Sequence, residues 1–165
     1  LINFVDDAML ADVMETGQIS PDVTRRMCAL VESAEIAGAD AVFSLCSSLG
    51  PTIDTARNLV SIPVIKIDDA MTEKAAREAS RVGVMATVPT TLPPTVKLIE
   101  EKALQLDKAV EIKEALVKGA FEKLMAGHKE EHDAMVSATA QTLAQEVELI
   151  VLAQASMAQE RLRNP

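Results

Sequence analysis

Short apolar runs rich in β-branched residues recur between longer stretches of helical periodicity. That alternation limits what this chain can fold into more than any other feature. Ala41–Leu45, Pro63–Ile67, Val82–Ala86 and Val147–Ala153 are strand-length runs with almost no polar alternation. Strands that read this way have both faces covered, as in a parallel sheet. Between them lie segments with helix start signals. Ser20-Pro21-Asp22 offers a cap, a first-turn proline and an acid for the positive end of the dipole. The helix it opens carries Val23, Met27, Leu30, Val31 and Ala34 on one face and stops near Gly38. Further helices are predicted from Gly50-Pro51, over Asp69–Ser80, from Pro93-Pro94 to about Gln105, over Leu116–Met125, over Glu130–Gln145 and over Ser156–Leu162. Leu1–Val5 reads as another strand, ended by Asp6-Asp7, and Val110–Ile112 as a short one. An all-helical bundle fails on the β-branched runs at 62–67 and 147–151. The predicted class is α/β, with helices on both faces of parallel sheets.

Composition narrows the partners. The 165 residues carry a formal charge of −9 with only 2% aromatics. Phosphate neutralisation and base stacking therefore both lack their residues, and nucleic acid is not an expected partner. An anionic membrane surface is equally unsuited. No apolar run approaches the roughly 20 residues of a membrane-spanning helix. Two cysteines, Cys28 and Cys46, make no disulfide framework, and a reducing cytoplasm is the default setting. The chain opens at Leu1 without Met and stops at Pro165 just after a helical stretch. The reading here is that it is part of a longer polypeptide, missing an N-terminal strand and a C-terminal end.

Ligands of open parallel sheets bind beyond the carboxyl ends of the strands. Ala41–Leu45 leads into Cys46, Ser47 and Ser48 before the helix opened by Gly50-Pro51. Val82–Ala86 leads into Thr87, Thr90 and Thr91 before a proline-started helix. Val147–Ala153 leads into Gln154, Ala155 and Ser156. Each strand end thus presents small hydroxyl or amide groups beside a helix N-terminus, which suits a carboxylate or phosphate. No glycine-rich nucleotide loop is present. A thiol at such a position is expected to ionise more readily, favoured by the dipole and by N–H donors. Cys46 is then a candidate proton donor, acceptor or nucleophile. The alternative is a small buried hydrophobe, which is how Cys28, mid-helix, is read. The stretch Ala39–Ser48 also echoes Val147–Ser156, and in that superposition Cys46 falls on Gln154.

Four pieces, GADAVFSLCSSLG, IPVIKIDDA, RVGVMATVPTTLPP and ELIVLAQASMA, together resemble the aspartate/glutamate/hydantoin racemase superfamily over nearly the whole chain. The resemblance implies two similar α/β halves, here 1–80 and 81–165, related by a pseudo-two-fold with the active site in the cleft between them. It implies cofactor-independent proton transfer at the carbon next to a carboxylate, with no metal, and a homo-oligomer. By position Cys46 is the first-half thiol. Ser47, Ser48, Thr87, Thr90, Thr91 and Ser156 are substrate-binding candidates. The second elbow of hydantoin racemases reads Leu-Gly-Cys-Ala-Gly-Met-Ala, and Gln154 stands where its Cys would be. Gln has no proton to give near neutral pH and is no base, so two-thiol racemisation is not expected. It can donate its NH₂ to a developing enolate oxygen. The expectation is therefore an enzyme of the isomerase superfamily acting on a small acid through Cys46 and Gln154. The alternatives are a single-thiol decarboxylase or lyase of the same superfamily, or a non-catalytic paralogue that only binds a small acid.

Other signals rank lower. His128-Lys129-Glu130-Glu131-His132 matches the H-x-x-E-H pattern of one zinc peptidase class. Its charged flanks and the lack of a third ligand make it a solvated helix face. Asp68-Asp69 is read as helix capping before a catalytic pair. Asp6 and Asp7 are at most peripheral to the cleft, and Met157 is a candidate lining residue. A serine hydrolase on Ser47 or Ser48 lacks the Gly-x-Ser-x-Gly elbow.

Overall fold

The computed structural model describes residues 1–162, with side chains through Ala158. The chain forms two compact units, Leu1–Asp69 and Ala70–Pro165.

The first unit runs α1 (Asp7–Thr16), α2 (Pro21–Ile36), β1 (Val42–Ser44), a 3-10 turn at Ser47–Leu49, α3 (Gly50–Ala56) and β2 (Val64–Lys66). The strand predicted over Leu1–Val5 does not form, and a helix that the sequence reading left out follows it. Asp6 explains the switch. Its side chain accepts the N–H of Ala8 at the start of α1, and both its oxygens bind Arg26 of α2. Met9 and Val13, four apart, then bury one face. Gly17 closes the helix in the left-handed conformation, where a side chain would be strained. Ser20 caps α2 through the N–H of Val23, as its spacing predicts.

β1 and β2 pair in parallel with Ser44 opposite Lys66. One face of this pair turns Val42 and Val64 onto a core built from Met9, Val13, Val23, Met27, Val31, Leu49, Ile53 and Ala56. The opposite face presents Phe43, Leu45, Ile65 and Ile67 as exposed apolar side chains. The two-sided covering read from the sequence is therefore not met at these strands.

The second unit begins within α4 (Asp69–Glu78), followed by β3 (Arg81–Ala86), a 3-10 turn at Pro89–Thr91, α5 (Leu92–Gln105) and β4 (Glu111–Leu116). It continues with α6 (Ala120–Met125), α7 (Lys129–Leu143), β5 (Leu149–Leu152) and a 3-10 segment at Ala155–Leu162. Its sheet has the order β4-β3-β5, all parallel. β4 is longer than predicted and takes Leu116 from the predicted helix. The central strand explains why both faces need covering. Val82, Val84 and Ala86 point into a core with Ala75, Ala76, Leu92 and Ile99 of α4 and α5. Met85 points the other way, onto Val117, Ala120, Val136, Leu143 and Met157. Gly83 lies on that second face, and a Cβ there would sit 2.5 Å from Leu143 Cδ2. Glu148 pins the start of the sheet by accepting the N–H groups of Ser80 and Arg81 at 2.8 and 3.3 Å. No described helix is long and apolar enough to cross a membrane.

Candidate functional site

In the first unit the carboxyl end of β1 delivers Cys46 to the start of the 3-10 turn at Ser47–Leu49. The residue keeps extended dihedrals while the chain after it coils. The backbone N–H of Leu49 reaches the carbonyl of Cys46 at 3.3 Å, and the sulfur makes no capping hydrogen bond with the N–H groups that follow it. The sequence argument expected these donors to leave the thiol readily ionised. The balance runs the other way. Burial pushes the Cys46 thiol above its ordinary value, the N–H groups of Leu49 and Ser48 pull it down by less, and the negative charge of Asp68 adds to the rise. Ser47 and Ser48 are buried beside it. Cys28 packs against the same apolar cluster from α2.

At the end of β2 the chain places a buried cation. Lys66 is 7% exposed, and its ammonium binds both oxygens of Asp54 of α3 at 3.0 and 3.1 Å. Arg57 lies 3.6 Å from Asp54 and 3.8 Å from Asp69. Asp69 also accepts the N–H of Lys66. Asp68, two residues past Lys66, is 4% exposed. The sequence reading took Asp68-Asp69 as capping, and it missed the Lys66–Asp54 pair altogether. A lysine inside an apolar strand was the available signal, because a charge there needs a partner.

In the second unit the ends of β3 and β5 are tied by one side chain. Gln154 Oε1 accepts the N–H of Thr87 at 2.6 Å, the hydroxyl of Thr87 at 3.0 Å and the N–H of Val88 at 3.1 Å. Two backbone N–H donors can meet only an acceptor, so the network itself fixes which amide atom faces the loop. The NH₂ hydrogens of Gln154 play no part in that clamp. Thr87 spends its donors on Gln154, which makes it the residue that orients the amide. Thr91 is buried and its carbonyl accepts the hydroxyl of Thr95 at 2.9 Å. Thr90 and Ser156 are half-buried at the ends of β3 and β5 respectively. Met157 is packed in the core rather than lining a surface.

The histidine pair divides. His128 is exposed and 3.0 Å from Glu131. His132 is 0% exposed, its Nδ1 lies 2.9 Å from Asp133, and its Nε2 is buried without a hydrogen-bond partner. The solvated face read from the sequence thus holds an interior imidazole–carboxylate pair. No metal-ligating cluster occurs among the described residues. Asp6 and Asp12 are engaged by Arg26.

Parallel strands whose carboxyl ends present a half-buried thiol in one unit and an oriented carboxamide in the other define an α/β protein. A family model described as Asp/Glu/Hydantoin racemase matches residues 1–164, and the chain belongs to that family. Among solved structures it is similar to a glutamate racemase, isoform RacE1, from Bacillus anthracis, with a TM-score of 0.62 and 16% identity over 84% of this chain and 56% of that one. It is similar to the Francisella tularensis glutamate racemase in complex with D-glutamate, with a TM-score of 0.62 and 14% identity over 87% of this chain and 58% of that one. It is also similar to the allantoin racemase of Klebsiella pneumoniae, with a TM-score of 0.59 and 22% identity over 86% of this chain and 56% of that one. The chain therefore spans less than two thirds of these relatives' length. A search of curated proteins gives no match.

Proposed function

We propose that this chain belongs to a cofactor-independent enzyme that transfers a proton at the carbon α to a carboxylate in a small organic acid. Family membership supplies the reaction class. The observation that carries the assignment to residues is the setting of Cys46, a half-buried thiol at a strand's carboxyl end, where the 3-10 turn Ser47–Leu49 begins. In this reading Cys46 handles the proton. Gln154, with its carbonyl held by Thr87 and Val88, offers its NH₂ to the oxygen on which charge develops as the α-carbon becomes an enolate. Ser47, Ser48, Thr90, Thr91 and Ser156 are candidates for holding the substrate carboxylate, and Thr87 acts by orienting Gln154. A carboxamide cannot supply a proton, so the reaction is one-sided, and stereospecific protonation or bond cleavage fits better than free interconversion of enantiomers.

The experiment is α-proton exchange in D₂O, followed by NMR on a panel of amino acids, hydantoins, malonates and maleate. The wild-type protein exchanges at least one of them, and Cys46→Ala loses that exchange. Full retention in Cys46→Ala ends the assignment. A second reading, a pocket that binds a small acid without turning it over, would show protection of Cys46 from alkylation by acids that never exchange.

A further inference from the structure

The loop that carries Cys46 is met at both ends by one residue. Lys66, the last residue of β2, stands opposite Ser44, two positions before Cys46. The pairing continues one step on, because Ile67 donates its N–H to the carbonyl of Ser44 at 2.9 Å. Beyond the loop, the stem of Lys66 lies against Gly50, where a Cβ would sit 3.7 Å from its Cδ. Gly50 closes the 3-10 turn by donating its N–H to the carbonyl of Ser47, and it opens α3. One helical turn further along α3, Asp54 receives the ammonium on both of its oxygens. The lysine side chain is 7% exposed and that of Asp54 48%, so the strand supplies a buried charge and the helix meets it at the rim. Burying a lysine carries a desolvation cost that an apolar residue at the same position avoids. What the pair adds is direction: it joins the end of β2 to the first turns of α3, and Cys46 lies on the loop between the β1 partner of that strand end and that helix.

We propose that Lys66 is a positioning residue for Cys46: through its ion pair with Asp54 it locks the start of α3 to the end of β2 and so fixes where the intervening loop presents the sulfur. This rests on the proton-transfer reading above and deepens it. Lys66 touches no substrate in this scheme and takes no part in the proton transfer. Its effect passes through named contacts. Asp54 belongs to the same short helix as Gly50, and Gly50 is hydrogen-bonded to Ser47, the neighbour of Cys46. The hydroxyl of Thr52 donates to the carbonyl of Leu49 at 2.6 Å, so the 3-10 turn and the first turn of α3 move as one piece. Leu49 and Ile53 set how deeply that piece sits in the core, but apolar contact is non-directional and leaves its lateral placement to the ion pair. Arg57 adds looser contacts, 3.6 Å to Asp54 and 3.8 Å to Asp69. Placement matters because a shift of about 1 Å in a reacting group can cost up to ~100-fold in rate.

The test is the rate of Cys46 alkylation by iodoacetamide without substrate, with Cys28 of the same molecule as internal reference and both read by peptide mass spectrometry. Lys66→Met keeps a stem against Gly50 and removes the ammonium. Asp54→Ala removes the partner at a half-exposed position and keeps the test open if the first variant fails to fold. Each raises the Cys46 rate about threefold or more and leaves the Cys28 rate within about a factor of two, and the double variant goes no further than the larger single one, as expected of two halves of one interaction. In the D₂O exchange assay the same variants lower kcat about tenfold or more and leave KM within about twofold. An unchanged Cys46 rate in a folded variant overturns the proposal. So does an equal rise at Cys28, which would report a loosened unit rather than a displaced loop, and so does additivity of the two substitutions. Because alkylation needs no substrate, its failure leaves the D₂O assignment of Cys46 standing, and failure of that assignment leaves the alkylation result readable.

Discussion

Replacing Gln154 separates the clamp its carboxamide makes from the donor role proposed for its NH₂. Its Oε1 accepts three hydrogen bonds, from the N–H and hydroxyl of Thr87 and the N–H of Val88, and both residues are 4% exposed. A typical net contribution is about 1 kcal/mol per bond. In Gln154→Met a side chain of similar length keeps water out and accepts from none of the three donors. The loss is therefore at least ~3 kcal/mol, with the cost of stranded donors on top. Gln154→Ala opens room for water at a half-buried position and loses less, about 2 kcal/mol. In Gln154→Glu the carboxylate accepts the same three donors through charge-assisted bonds, so stability at neutral pH stays within about 0.5 kcal/mol of the wild type or rises. With a urea dependence of about 2 kcal/mol per molar, the Met variant unfolds ~1.5 M earlier than the wild type. Only the carboxamide also has an NH₂ to give, so Gln154→Glu keeps the fold and loses turnover of the substrate found by D₂O exchange. A Met variant with the wild-type unfolding midpoint would refute the clamp. A Glu variant with full activity would refute the donor role.

Three further outcomes follow from other parts of the molecule. Gly83→Ala places a Cβ 2.5 and 2.8 Å from Leu143 Cδ2 and Cγ and 3.1 Å from Val147 Cγ2. It should cost about 1–3 kcal/mol by urea unfolding, and combining it with Leu143→Ala should give less than the sum of the single effects. The carboxyl of Asp133 is held below its usual range by Lys129 first and His132 second. A lowered folded value contributes stability that is complete above about pH 4 and is lost as pH falls through the folded value, so Asp133→Asn should be less stable than wild type at pH 7 and converge with it in acid. Urea midpoints at both pH values check this, and a gap that widens in acid would contradict it. His132→Ala empties a fully buried site and should cost about 2–4 kcal/mol, whereas exposed His128→Ala should change the midpoint by less than ~0.5 kcal/mol.

The elements that were legible in the sequence are those whose burial is uniform. β3 reads as a strand from Val82–Ala86 because all five residues are buried. α2 reads from its Ser20 cap and first-turn proline, and α3 from Gly50-Pro51. The misreadings fall where one residue type serves two environments. Leu1–Val5 has a strand's composition, yet it pairs with no strand, and the decisive residue is Asp6, whose cap and ion pair with Arg26 start a helix instead. β4 was read short because Glu111, Lys113 and Glu114 break the apolar run. The strand lies at the sheet's edge, where charges are tolerated on exposed positions. His132 was lost among charged neighbours at 128–133 because composition averages over a helix's circumference. Burial does not, and His132 shares its face with Val136 four residues on.

The same distinction decides how far the candidate site could be read. The elbow at Cys46 is visible from spacing alone, since a buried strand followed by Cys-Ser-Ser and a proline-started helix fixes where the sulfur emerges. The sign of its acidity is not visible, because it depends on how deeply the sulfur is shielded and on a carboxylate 22 positions away that arrives through strand pairing. Dipoles and N–H donors are properties of the local chain and favour thiolate. Desolvation and the Asp68 charge are properties of the fold and favour thiol. The two sets oppose one another at this thiol, and burial, the largest of them, outweighs the N–H donors, so the ease of ionisation expected from the local chain is reversed.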